Sequence, residues 1–201
     1  MSIKAKKILI SITGISIVLA LAAAMFLSGI KGEFISYLDE RYPDLSFEIG
    51  AVKIDLIYGK YYAKVDCLDD GTSFPIMKSF NTKEIYDDYL QDKSRDQYNS
   101  TIQDVFSGSR IEDYLKSVTG GGKEPFEAGA AYTQINIHLS DDAEHLAVVK
   151  KALSILAEND VVAEKVIFTY EKDKHVYELW VSSEEYDLTE EELKEKVRSI
   201  K

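Results

Sequence analysis

Three histidines, one cysteine and 35 acidic residues are the groups in this 201-residue chain that could carry acid–base or nucleophilic chemistry. Their spacing decides whether they do. His138 falls on the polar side of an alternating run, His145 stands among acids in the first turn of an expected helix, and His175 adjoins a charged turn. None has a second histidine at metal-ligand spacing, so none reads as a metal ligand or as the general base of a catalytic set. Cys67 lies on the inward side of the run Tyr61 to Cys67 with no cation to stabilise a thiolate, which makes it a poor nucleophile. Gly120, Gly121, Gly122 and Lys123 have the look of a phosphate loop, but Glu124 stands where Ser or Thr would hold Mg²⁺ and the preceding glycine is misplaced. A linker is the better reading of that stretch. Asp66, Asp69 and Asp70 before Gly71 offer oxygens to calcium, yet they lack the alternate acids and distal Glu of an EF-hand, and Asp-Gly is also an ordinary hairpin-turn pair. The residues thus point to no catalytic group, no metal and no cofactor.

What stands out instead is aromatic. Tyr58, Tyr61 and Tyr62 cluster at one expected hairpin tip, and Trp180 alternates onto the face that should be polar. Large aromatics on solvent faces are enriched at binding surfaces, so these four form the candidate partner surface. The competing reading is that a helix over Ile111 to Val118 covers Trp180 and makes it core.

The elements that hold these residues begin with a membrane segment. Ile8 to Ile30 contains no Asp, Glu, Lys, Arg or His. As a helix it would extend about 34 Å, against a hydrocarbon core of roughly 30 Å. Lys4, Lys6 and Lys7 precede it, and Lys31 followed by Glu33 comes after, so the positive-inside rule puts residues 1–7 in the cytoplasm and residues 31–201 outside. The apolar run exceeds a signal-peptide core, which favours a retained anchor; Ala22, Ala23 and Ala24 keep cleavage and secretion as the alternative. All the acidic residues and all but three of the 24 basic ones lie beyond the segment. So acidic an exterior argues against nucleic acid or anionic lipid as a partner, since either needs clustered Lys and Arg. A single cysteine excludes an intramolecular disulfide, so packing alone must hold the outer region together.

Beyond the segment the periods predict two small units. In residues 33–80 a short helix ends at Pro43 and a three-stranded meander follows, with a bulge at Gly50 and Ala51 where the alternation flips. Val52, Ile54 and Leu56 are expected on its inner side, and Pro75 marks Phe74 to Ile76 as an edge strand. Residues 81–119 read as connecting helices: one long helix or two after a capping box at Asn81 and Glu84, then another over Ile111 to Val118. Residues 126–201 give the order β, α, β, β, α, with capping boxes at Asp141/Glu144 and Thr189/Glu192 and a last helix reaching Ile200. The fold class is α+β, a transmembrane helix followed by two units of helices packed on antiparallel sheets.

A helix followed by a three-stranded meander resembles the PepSY and cystatin-like units of exported bacterial proteins. With the basic start, the single span and the Tyr-rich hairpin "YGKYYAKV", the chain is similar to the YfjL-like membrane-anchored proteins of Gram-positive bacteria. The resemblance implies an extracytoplasmic two-domain protein and, through PepSY units, an association with regulation of secreted proteases; it carries no functional residue across. Together the readings predict a membrane-anchored extracytoplasmic interaction or regulatory protein without catalytic activity, contacting lipid through residues 8–30 and a protein partner outside. A cell-envelope hydrolase using carboxylates and a structural component of an envelope complex are the alternatives.

Overall fold

The computed structural model describes residues 3–141 and 143–200, with side chains from Val18 onward in the N-terminal helix. Met1, Ser2 and the side chains of Lys4, Lys6 and Lys7, on which the N-in orientation rests, lie outside that description, as do Asp142 and Lys201. The fold is α+β, an apolar N-terminal helix followed by two five-stranded sheets. The chain divides into two units, residues 1–92 and 93–201.

The first unit opens with helix α1, Ile3–Arg41, which runs without a break from the apolar segment into the expected short helix. Two regimes share this one helix. From Val18 to Gly29 almost every side chain is exposed, including Leu19, Leu21, Met25 and Phe26. From Ile30 on, Ile30, Phe34 and Leu38 recur one turn apart and are buried against a sheet. The helix over Val18–Arg41 is long and apolar enough to cross a membrane.

The sheet beneath α1 comprises β1 (Phe47–Ile49), β2 (Lys53–Asp55), β3 (Lys60–Cys67), β4 (Ser73–Ser79) and β5 (Ile85–Asp87), all antiparallel. β1 and β2 lie end to end along β3. Ile49 pairs with Val65 and Lys53 with Tyr62, so three residues face two, and the Gly50 N–H donates to the Lys64 carbonyl at 2.9 Å. This is the expected bulge. Ala63, Val65, Cys67, Phe74 and Ile76 fill the side under the helix, where Lys78 also points and pairs with Glu33.

Three expectations fail here. Ile54 and Leu56 are exposed: Ile54 sits in the short β2 opposite Tyr61, and Leu56 lies beyond the end of that strand, in the turn. β4 is interior rather than an edge: Pro75 is tolerated because its carbonyl, and hence its nitrogen, faces Asp88, where the three-residue β5 has already ended. Asn81 and Glu84 cap no helix; they belong to the turn into β5, and helix α2, Tyr89–Phe106, starts after Asp88, whose carbonyl accepts the Asp92 N–H at 2.8 Å.

α2 carries the boundary between the units. Within the second unit its Tyr98, Ile102 and Phe106 join the core of a sheet ordered β10-β9-β8-β7-β6. The strands are β6 (Leu115–Gly121), β7 (Tyr132–Leu139), β8 (Ala163–Lys172), β9 (His175–Val181) and β10 (Arg198–Ser199), with helices α3 (His145–Glu158) and α4 (Glu190–Lys196). Val148, Val149, Ala152, Leu153 and Leu156 give α3 its buried stripe. α3 bridges β7 and β8, which are therefore parallel, the one pair that departs from the antiparallel expectation. Asp173 and Lys174, both at positive φ, make the two-residue turn of the β8–β9 hairpin.

The remaining corrections also concern this unit. The expected helix over Ile111 to Val118 is a single turn at Glu112–Tyr114 followed by β6. The glycine run is no linker. Gly120 and Gly121 are strand residues, and a Cβ at Gly120 would lie 2.7 Å from two ring carbons of Tyr132, while one at Gly122 would lie 2.1 Å from the Tyr98 hydroxyl. Asp141 caps nothing; its carboxylate takes the Lys116 ammonium at 2.6 Å. Thr189 and Glu192 do form a capping box, but α4 ends at Lys196, and Arg198 and Ser199 pair with β9, leaving Ile200 exposed.

Tyr186 packs in this core with its hydroxyl buried and without a hydrogen-bond partner among the described residues, and burial pushes its pKa up to about 12. Tyr186→Phe is expected to raise stability by about 1 kcal/mol at neutral pH, because an unpaired buried hydroxyl is removed. The sign at high pH follows from linkage. Below pH 10 the side chain is neutral in both states; between about 10 and 12 the unfolded chain ionises first, and the wild type loses about 1.4 kcal/mol per pH unit at this site. Urea unfolding at neutral pH and at pH 11 checks this: the advantage of the variant should widen with pH.

Candidate interaction surfaces

The hairpin tip between β2 and β3 is built by one carboxylate. Asp55 Oδ1 accepts the N–H groups of Ile57 (3.1 Å) and Tyr58 (3.0 Å), and Gly59 takes φ +62°, which a side chain would resist. With its backbone thus satisfied, the turn holds Leu56, Ile57 and Tyr58 outward at 81, 90 and 76 % exposure. Tyr58 is therefore open, with the Lys60 ammonium 5.5 Å from its ring centroid.

Its two companions are placed differently. Tyr61 faces the helix side, edge-on to Phe26 of α1 at 5.6 Å and 4.6 Å from Phe80. Tyr62 faces the opposite side, beside Lys53 and Met77, where it borders an open hollow of about 510 Å³ with Gly50, Lys64 and Pro75. The tyrosines share a hairpin but not a surface. Alternation assigns Leu56 inward and so conceals the exposure of Leu56 and Ile57; the legible signal is three successive large apolar residues between Asp55 and Gly59.

Trp180 belongs to the second unit, on the face of its sheet away from the helical side, paired with Ile167. No helix over Ile111 to Val118 exists to cover it, since those residues form the turn and the far edge strand β6. It is 37 % exposed, with the ammonium groups of Lys165 and Lys196 at 5.0 and 5.6 Å from its ring centroid. Lys196 is held by Glu185 at 2.5 Å, and this partner, with the Ser182 N–H, keeps the Glu185 carboxyl below its ordinary range. An indole between two lysine ammonium groups suits contact with an acidic or planar partner group.

The residues that could do chemistry are occupied structurally. His138 Nδ1 bonds Thr169 Oγ1 across β7 and β8 at 2.8 Å. His145 Nε2 meets the Ser140 carbonyl at 3.1 Å, and its ring stacks on Tyr170, which stacks on Tyr177. His175 turns back to the Asp173 carbonyl, and Cys67 is buried. Asp66 serves Lys64 and Ser73, Asp69 accepts the Ser46 N–H, and Asp70 takes Thr72 N–H and Tyr89 O–H.

One cluster was missed altogether. The Asp87 side chain, 2 % exposed, accepts the hydroxyls of Tyr37 (2.9 Å) and Tyr42 (3.0 Å) and the Tyr89 N–H (3.0 Å), with Arg41 Nε at 3.5 Å. It ties the end of α1 to β5 and to the start of α2. Only the spacing of Tyr37, Arg41 and Tyr42 hinted at it, and misreading β5 as helix hid their partner.

No protein-family model, no curated protein and no solved structure matches the chain. Its surfaces must be read from their own chemistry.

Proposed function

We propose that the chain is a membrane-anchored extracytoplasmic interaction or regulatory protein that acts by binding. The observation that carries this reading is the division within α1: apolar and bare over Val18 to Gly29, packed into a core from Ile30. A continuous helix whose apolar half finds no protein to cover it within its own unit is suited to lipid. The likeness of layout to YfjL-like and PepSY-containing proteins belongs to the same reading, with residues 1–7 inside and the two sheet-bearing units outside. Binding is supported by the presentation of Tyr58 and Trp180 at the surface, and by the structural employment of the three histidines and Asp87.

Full-length protein in cells, with a photo-crosslinking residue in place of Trp180, tests both parts. Carbonate washing should leave the protein in the membrane fraction, added protease should reach residues beyond the helix from outside, and the crosslinker should capture a discrete envelope protein. Release by carbonate removes the anchor; capture of nothing, with the anchor intact, removes this surface as the binding site.

A further inference from the structure

The most exposed large apolar side chains among the described residues gather in two places. One is α1 between Val18 and Phe26; the other is the tip Leu56, Ile57 and Tyr58, with Ile54 beside it. Elsewhere such residues are scattered singly, which is ordinary for a protein surface. The two concentrations meet, because Tyr61, at the base of the tip, packs edge-on against Phe26.

The order of contacts fixes which end of the sheet this is. Asp87, paired with Ile76, reaches Tyr37; Lys78, two residue pairs closer to the tip, reaches Glu33; Tyr61, paired with Lys78, reaches Phe26. Moving along β3 and β4 toward the tip therefore means moving down α1 toward its N-terminus. A hydrocarbon core of roughly 30 Å takes about 20 helical residues, so a span that starts after Lys7 ends near Leu27. Phe26 then lies at the outer margin of the core, and the tip extends past Tyr61 in the same direction.

We propose that the Leu56, Ile57 and Tyr58 tip inserts into the outer leaflet of the bilayer that α1 crosses. The proposal rests on the anchored reading above. The surroundings suit an interface: tyrosines 58, 61 and 62 are of the type that collects at headgroup level, and the exposed Lys53 has a stem long enough to lie along apolar surface with its charge in water. The Asp55 turn satisfies its own N–H groups, so the tip enters as a finished turn and brings no unpaired backbone donors from residues 57 and 58 into the apolar layer. Three side chains bind lipid weakly by themselves, but the anchor keeps them at high local concentration. The partner surface is the acyl–headgroup boundary, and the driving force is apolar, so insertion should depend little on salt.

The test uses the full chain reconstituted into phosphatidylcholine vesicles and labelled with an environment-sensitive fluorophore at one introduced cysteine. The native thiol of Cys67 is buried and stays unlabelled under native conditions. The positions are Ile57→Cys at the tip, Leu21→Cys in the bare part of α1, and Leu68→Cys, an exposed residue in the turn at the opposite end of the sheet. All three are surface positions, so folding is preserved. Lipid-borne nitroxide should quench the labels at 21 and 57, with a blue shift at both, and leave 68 bright. Quenching at 21 with 57 as bright as 68 overturns the insertion and leaves the tip for a protein partner. A bright label at 21 overturns the anchored reading and the insertion together.

Discussion

Phe34→Ala should destabilise the first unit by about 3 to 5 kcal/mol, the loss expected when a fully buried aromatic is truncated and its site cannot collapse. Phe34 is 0 % exposed and stands midway between Ile30 and Leu38 on the buried stripe by which α1 packs on its sheet. The surroundings resist closing over the gap, because the helix backbone on one side and the paired strands on the other are both held by their own hydrogen bonds. Urea unfolding of the full chain in detergent, followed by circular dichroism, measures the effect. Ile35→Ala on the exposed side of the same helix, at 44 % exposure, controls for helix propensity and should change stability by no more than about 0.5 kcal/mol. A loss below about 1 kcal/mol for Phe34→Ala would mean that the helix is not seated on the sheet.

The second large effect concerns a residue with no side chain. Gly120→Ala is expected to cost about 3 kcal/mol, the upper part of the range for overpacking, because the atoms the new methyl meets are ring carbons of a buried tyrosine. Tyr132 cannot step aside: its ring lies edge-on to Tyr98 at 5.1 Å, which in turn lies edge-on to Phe126 at 4.9 Å, and the Ile102 methyl waits 3.4 Å from the new carbon. Gly121→Ala separates this explanation from any general sensitivity of the strand. A Cβ there meets nothing within 4 Å, so that variant should be neutral or stabilised by about 0.5 kcal/mol. Equal losses at 120 and 121, measured by thermal unfolding, would refute the packing account.

The same glycines show where sequence reading runs out. Gly120 to Gly122 offer no hydrophobic period and carry the composition of a linker; the reason Gly120 and Gly122 are glycine is a pair of tyrosine rings from elsewhere in the chain. β5 escapes a reading by period for a related cause, since three residues cannot show alternation, and polar neighbours with a capping-box spacing favour helix. Long elements with an uninterrupted period were legible: α1 from its apolar run, α3 from its stripe, the β8–β9 hairpin from its alternation, and the bulge from a flip of phase. Of the candidate surface, Tyr58 and Trp180 could be named because aromatics stand out in a polar pattern. That Tyr61 and Tyr62 face opposite ways follows from alternation once the strand is fixed. The Asp87 cluster is nearly hidden in the sequence, because its members come from the end of α1, a three-residue strand and the first residue of α2.

The unbroken course of α1 has a mechanical meaning on the anchored reading. The helix contains no proline and continues unbroken through Gly29 and Gly32 from the bare turns to Ile30, Phe34 and Leu38, so it acts as a lever whose long arm lies in lipid and whose short arm is clamped to a sheet. Transmembrane helices accommodate a thinner or thicker bilayer by changing tilt. For this protein a change of tilt would swing the whole first sheet and press or lift its tip, which turns the thickness of the membrane into the angle at which the outer face of the sheet is shown.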